Sequence, residues 1–325
     1  MMKHVSIFVP ESAVMEAVAD PHYMFSAVNQ FLQSAGKPPL FKVELVAQSR
    51  DVSFMNGLYS VHAGKLLDEV TETDLIVIPA LFGDMQTAVE KNKNAVPWIQ
   101  KHHHKGAELA SLCVGAFLLA STGLLNGKKC STHWAYYSEF KETFPEVEIV
   151  DGSIITEENG IYSSGGAQSY WNLLLYLVEK YVDRDTAILA AKYFAIDIDR
   201  DSQSAFAMFK GQKDHNDVEV KITQDFIEAN YSERITVDQL ADMVAISRRS
   251  FERRFKQATN NTILEYIQRV KIEAAKRSFE ATRKNINEVM YDVGYTDTKA
   301  FRTVFRKITG LTPIEYRNKY YKEKK

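Results

Sequence analysis

The chain has 325 residues, 45% of them hydrophobic, and a formal net charge of −2. That length suits two packed domains, and two cysteines, Cys113 and Cys130, exclude a disulfide-stapled scaffold. No apolar run reaches the ~18 residues of a membrane span, and MMKHVSIFVPES lacks the pattern of a secretory signal, so a cytoplasmic protein with no membrane partner is expected.

The first two hundred residues read as alternating strands and helices. Val5–Val9 is an apolar run of strand length, and a helical pattern follows to about Ala35. Val43–Ala47 and Leu75–Pro79 are further strands, and Met85–His102 is predicted mostly helical despite Pro97. Glu108–Cys113 is a strand that runs into a helix at Val114–Ala120. A hairpin-like stretch, Val147–Tyr162, precedes helices at Gln168–Tyr181 and Thr186–Phe194. Such alternation implies an α/β sandwich: a mostly parallel sheet with helices on both faces. Residues 198–217 lack periodicity and read as a linker between domains at 1–197 and 218–325.

Cys113 stands where strand gives way to helix, beside Gly115 and Ala116, which are small enough for a sharp turn. A thiol at the positive end of a helix dipole has a lowered pKa. Cys113 is therefore a candidate nucleophile, and a buried structural cysteine is the plainer alternative. Trp134, Tyr170 and Trp171 could cage a quaternary amine or serve as core aromatics. Gly165-Gly166 suit an anion at a helix N-terminus, or close strand–helix packing. His102, His103 and His104 cannot converge on one ion, because neighbours on a helix diverge by about 100°. Flanked by Lys101 and Lys105, they are expected at a solvated helix end; neither a metal nor a cofactor is expected.

The last hundred residues repeat. At a spacing of 50, Phe251 meets Phe301, Phe255 meets Phe305, Thr262 meets Thr312 and Tyr266 meets Tyr316; upstream, at 49, Leu240 meets Val289 and Val244 meets Val293. A turn between two helices absorbs the slip, so two helix-turn-helix modules are predicted, an all-α domain. Ser247 is placed to cap the second helix of the first module, and Asn260 and Gly310 to end the two second helices. With the Phe pairs inward, Arg249, Glu252 and Arg253 face out in the first module, and Lys299, Arg302, Thr303 and Arg306 in the second. Arginine reads guanine edges and lysine holds phosphate. Between the modules, Thr262 to about Glu280 predicts a connecting helix roughly 27 Å long, of the order needed to set two helices into successive major grooves about 34 Å apart. Charge agrees: residues 218–325 hold 22 Lys and Arg against 15 Asp and Glu, a net of +7, leaving −9 on residues 1–217. Lys319, Lys322, Lys324 and Lys325 extend the basic end. A basic domain gains affinity from phosphate while an acidic body avoids DNA.

Residues Val218 to Tyr320, through ITVDQLADMVAISRRSFERRFKQAT, VKIEAAKRSF and INEVMYDVGYTDTKAFRTVFRKITGLTPIEYR, resemble the AraC/XylS family of transcription regulators. Asn260 and Ile263 replace that family's usual Gly and Pro. The resemblance implies base-facing roles for Arg249, Glu252 and Arg253 in the first module, and for Thr298, Lys299, Arg302 and Thr303 in the second. Residues 3–197, most clearly SLCVGAFLLASTGLLNGKKCSTHW and SSGGAQSYWNLLLYLVEKY, resemble the ThiJ/PfpI, or class I glutamine amidotransferase-like, superfamily in the form found in GlxA-type regulators. This implies a flavodoxin-like sandwich with Cys113 at its elbow, His133 nearby and Glu16 at the acidic position facing the thiol. Asn172 and the bulky Gln168–Trp171 entry depart from the pattern and put the family's ligand preference in doubt. Together the resemblances imply a homodimeric regulator of promoter DNA, contacting RNA polymerase if it activates. Its N-terminal domain would sense a small molecule without catalysis, at Glu16, Cys113, Val114, His133 and Trp134. Two alternatives stay open: a redox switch through Cys113, and a hydrolase or amidase using Cys113, His133 and Glu16.

Overall fold

The computed structural model describes residues 2–198, 202–204, 208–209, 211–213 and 215–321. It divides into two compact units, residues 1–203 and 204–325. Lys322, Lys324 and Lys325 of the basic end lie outside the described residues, as does part of the 198–217 linker.

In the N-terminal unit the apolar runs build a seven-stranded sheet. Its order is Ile155–Glu158, Ile161–Ser164, Glu108–Ser111, Leu75–Ile78, Lys3–Phe8, Phe41–Ala47 and Lys65–Leu66. Every pairing is parallel except the edge hairpin of the first two strands. Leu75–Ile78 and Ile161–Ser164 are buried at every residue, as helices on both faces require. Met15–Ser34, Tyr170–Tyr181 and Arg184–Phe194 pack on one another, and Met85–Lys91 packs on Ala116–Ser121. This is the expected α/β sandwich.

Local details differ from the sequence-based expectation. The helical run from Met85 breaks into Met85–Lys91, a tight turn at Lys93–Ala95, and Val96–His104. Pro97 opens the last piece, where its missing N–H costs nothing. Asn92 sits buried at the break, donating to the Glu11 and Ala88 carbonyls and accepting from the Glu11 N–H. His102 is not solvated: it is buried with its ring 5.2 Å from that of Trp98. Val147–Tyr162 is no single hairpin. Glu148–Ile149 pairs in parallel with Lys129–Cys130, and the hairpin turns later, at Asn159-Gly160, both at positive φ as two-residue hairpin loops favour. A second hairpin, Asp51–Phe54 with Tyr59–His62, was not legible in the pattern.

The C-terminal unit is all helix among its described elements, and the repeat is visible in it. Val237–Met243 and Arg248–Thr259 form the first module; Ile286–Asp292 and Thr298–Thr309 form the second. Ile263–Ala281 connects them, Val218–Ala229 precedes them and Pro313–Tyr320 closes the chain. Asn260 and Gly310 end the second helices at φ 55° and 74°, left-handed positions that only a few residue types adopt cheaply. Thr262 with Glu265, and Thr312 with Glu315, make matching capping boxes on the helices that follow. Each module has its own core. Leu240, Phe251, Phe255 and Tyr266 are buried in one; Val289, Phe301, Phe305 and Tyr316 in the other.

Three features tie the two cores together. Tyr231 packs against both. Lys271, buried on the connecting helix, donates to the Glu233 carbonyl at 3.3 Å and the Val293 carbonyl at 2.9 Å. Gly294, at φ 74°, is so close to the Glu233 loop that a Cβ there would lie 2.1 Å from the Ser232 carbonyl oxygen. No helix among the described residues is long and apolar enough to cross a membrane.

Candidate nucleic-acid interface and elbow site

The two second helices of the modules present the same kind of face. Phe251 and Phe255, four residues apart, anchor one helix inward, and Phe301 and Phe305 anchor the other. Helical geometry therefore turns Arg249, Glu252 and Arg253 outward, and all three are exposed. Lys299, Arg302, Thr303 and Arg306 are likewise exposed on the second helix, with Thr298 half-exposed at its start. Ion pairing separates the faces. Arg248 bonds Asp238 at 3.0 Å and Glu252 at 3.1 Å, so Glu252 is partly occupied. Arg254 is clamped to Asp217 and Glu219 at 2.8 and 2.6 Å. Among the described residues Arg249, Arg253, Lys299, Arg302 and Arg306 make no ion pair, leaving five cations free for phosphate or base edges. Asp297 caps the second helix through the Ala300 N–H, whereas Ser247 stands at the cap position of the first without a side-chain bond.

The elbow forms as expected, with different chemistry. Leu112 still bonds the neighbouring strand at the Ile78 carbonyl, and Cys113 then turns at φ 55°, a conformation costly for a non-glycine residue. Gly115 permits the turn, because a Cβ there would fall 2.5 Å from the Pro79 carbonyl oxygen. The expected low thiol pKa is reversed: burial pushes Cys113 up to about 12, and the Val114 N–H opposes it only weakly. Desolvation is the larger cause, and the helix that follows is only six residues long. The elbow is fastened by its backbone, with the Cys113 N–H on Ser164 Oγ at 3.3 Å and Thr132 Oγ1 on the Cys113 carbonyl at 3.1 Å.

The other expected members stand apart from the thiol. His133 is half-buried and accepts the Ala135 N–H on Nδ1 at 3.1 Å, which leaves the proton on Nε2. Burial lowers its pKa, keeping the ring neutral near pH 7. Glu16 is exposed in the first turn of Met15–Ser34 and makes no bond to Cys113 among the described residues. The acid held against the aromatic wall is Asp20, one turn on, which accepts from Tyr170 Oη at 2.7 Å. Burial raises its pKa, and the Tyr170 and Trp171 bonds partly offset this. Its spacing of four from Glu16 was the available signal. Val114 is buried in the elbow. Trp134 packs on His133 at 5.3 Å, while Tyr170 stacks beside Trp171 and Trp171 meets Phe194, so no three-sided cage forms among these rings. Asn172 is buried and donates to the Asp197 carbonyl. No cluster of metal-ligating side chains occurs among the described residues.

A helix-turn-helix domain model matches residues 240–319, and the model of the DJ-1/PfpI family matches residues 25–180. The chain joins a DJ-1/PfpI domain to an AraC-type helix-turn-helix domain. It is similar to the HTH-type transcriptional regulator GbdR of Pseudomonas aeruginosa, 26% identical over 251 residues that cover 77% of this chain and 67% of that protein. The HTH-type transcriptional regulator CdhR of the same organism is 22% identical over 284 residues, 84% of this chain and 80% of that one. The crystal structure of an AraC family transcriptional regulator from Pseudomonas putida matches with a TM-score of 0.50 at 19% identity, covering 59% of this chain and 99% of that one; it bears on the fold alone.

Proposed function

We propose that the protein is a sequence-specific transcription regulator. The AraC-type modules hold promoter DNA, and a small molecule bound near the elbow of the DJ-1/PfpI domain sets how firmly. The carrying observation is the pair of recognition helices, held in equivalent poses by paired phenylalanines, with unpaired cations on both outer faces. Arg249, Glu252 and Arg253 read bases in one groove, and Thr298, Lys299, Arg302, Thr303 and Arg306 read bases or phosphates in the next. The N-terminal domain works without turnover: a thiol pushed up to about 12 is a poor nucleophile near neutral pH, and His133 has its Nδ1 committed elsewhere. Glu16, Cys113, Val114, His133 and Trp134 border the effector, and Asp20 joins them. In this reading the protein acts in the cytoplasm as a homodimer, and it contacts RNA polymerase if it activates.

The test is selection of DNA from random duplexes by the full-length protein. A motif of two half-sites spaced about one helical turn apart per monomer is expected. Recovery of fragments without a shared motif overturns the reading.

A further inference from the structure

Gln203, the last residue of the N-terminal unit, lies in a segment that reads as linker, yet its side chain is 1% exposed. The Gln203 N–H donates to the Gly152 carbonyl at 2.8 Å, and Ser202 bridges Ser153 in antiparallel fashion. Its Nε2 reaches the Thr132 carbonyl at 2.9 Å, the Ser153 carbonyl at 3.0 Å and Tyr137 Oη at 2.9 Å. The amide lies against Gly165, where a Cβ would fall 1.9 Å from Nε2. Gln203 Oε1 and Ser169 Oγ, both buried, have no hydrogen-bond partner among the described residues. A buried acceptor without a protein partner costs the seated state part of the stability that the Nε2 bonds supply.

Thr132 connects this insertion to the elbow. Its carbonyl holds Gln203 and its hydroxyl holds the Cys113 carbonyl, while His133 follows directly. We propose that Gln203 is a latch through which the elbow site and the segment leading to the DNA-binding unit sense each other. An effector that moves the Thr132–His133 turn loosens Gln203 and frees the segment; release of Gln203 loosens the elbow in turn, as linkage requires. Gln203 is thus a positioning residue acting through Thr132. The inference rests on the sensor reading for its purpose, but its test needs neither effector nor operator, so the two fail separately.

The experiment follows full-length protein in two ways. Limited trypsin digestion reads cleavage within residues 199–217, and iodoacetamide labelling, resolved by mass spectrometry, reads Cys113. Gln203→Ala removes the latch. Gly165→Ala expels it, since the added methyl meets the movable end of Gln203 and Gly165 does not need a positive φ. Both variants are expected to raise both rates about tenfold, as local opening of a few hydrogen bonds would. Thr132→Val keeps the carbonyl that seats Gln203 and removes the hydroxyl tie. In that background Gln203→Ala should change Cys113 labelling by less than about twofold. Faster cleavage with unchanged Cys113 labelling would make Gln203 a tether without coupling. Unchanged cleavage in both single variants, or a Gln203→Ala effect on labelling that persists with Thr132→Val, would also overturn the proposal.

Discussion

The two helix-turn-helix modules have the same plan and differ in how they hold their charge. In the first, Arg248 and Arg254 are spent on Asp238, Glu252, Asp217 and Glu219. In the second, Val304 stands where the repeat places Arg254, and the outward cations carry no ion pair among the described residues. The second helix of the first module is therefore fastened by charge through two of its arginines, whereas in the second module the pair Lys284–Asp292, at 2.7 Å, ties the first helix and leaves the second helix open. The two copies share their packing residues and differ on their faces.

The largest effect should come from dividing the cores. Phe305→Ala is expected to remove about 3–5 kcal/mol from the second core, and Phe255→Ala the same from the first. Hydrogen exchange should show each loss within its own module; loss of protection across both would mean a single cooperative unit. Lys271→Met attacks what the modules share. It leaves the Glu233 and Val293 carbonyls unmatched, costing about 1–3 kcal/mol, and binding to DNA with varied half-site spacing should become less selective. Unaltered spacing preference would relieve Lys271 of any part in setting the separation.

Arg253→Ala and Arg302→Ala probe the faces themselves. Each should weaken specific binding by about 1–3 kcal/mol and relax selectivity at one half-site only; equal weakening on random DNA would assign that arginine to phosphate. Glu252→Ala, which removes one of the two partners of the exposed Arg248, should leave the thermal midpoint essentially unchanged. Acid offers a last contrast. Arg254 holds the Asp217 carboxyl below the usual range. Its contribution is present above the unfolded value and is lost as pH falls through the folded one. The first module should therefore loosen before the second below about pH 4, visible as earlier loss of its amide protection.

The C-terminal unit was legible because its information is periodic. The same phenylalanine, threonine and tyrosine spacings specify both cores and both caps, so each copy corroborates the other. The N-terminal unit has single instances of everything. Its strands and the Cys113 elbow could be read from local pattern, but the surroundings of the elbow could not, since Ser164 and Thr132 approach from other parts of the chain. His102 misled for the same reason: its lysine neighbours are local, while its burial depends on the tertiary packing of its helix. Asp20 was overshadowed by Glu16, which the resemblance singled out but which lies on the exposed side of the helix. Gln203 offered no signal at all, being a polar residue in an aperiodic stretch.

The close approach of Gly294 to the Ser232 carbonyl, together with Lys271, leaves the two recognition helices little freedom to adjust their separation. The duplex must then do the adjusting. Bending or twisting it to bring two grooves into place costs energy that depends on the steps being deformed, least for TA and CA/TG steps. On the proposed reading of two adjacent grooves, the base pairs between them would then enter the recognised sequence through their stiffness.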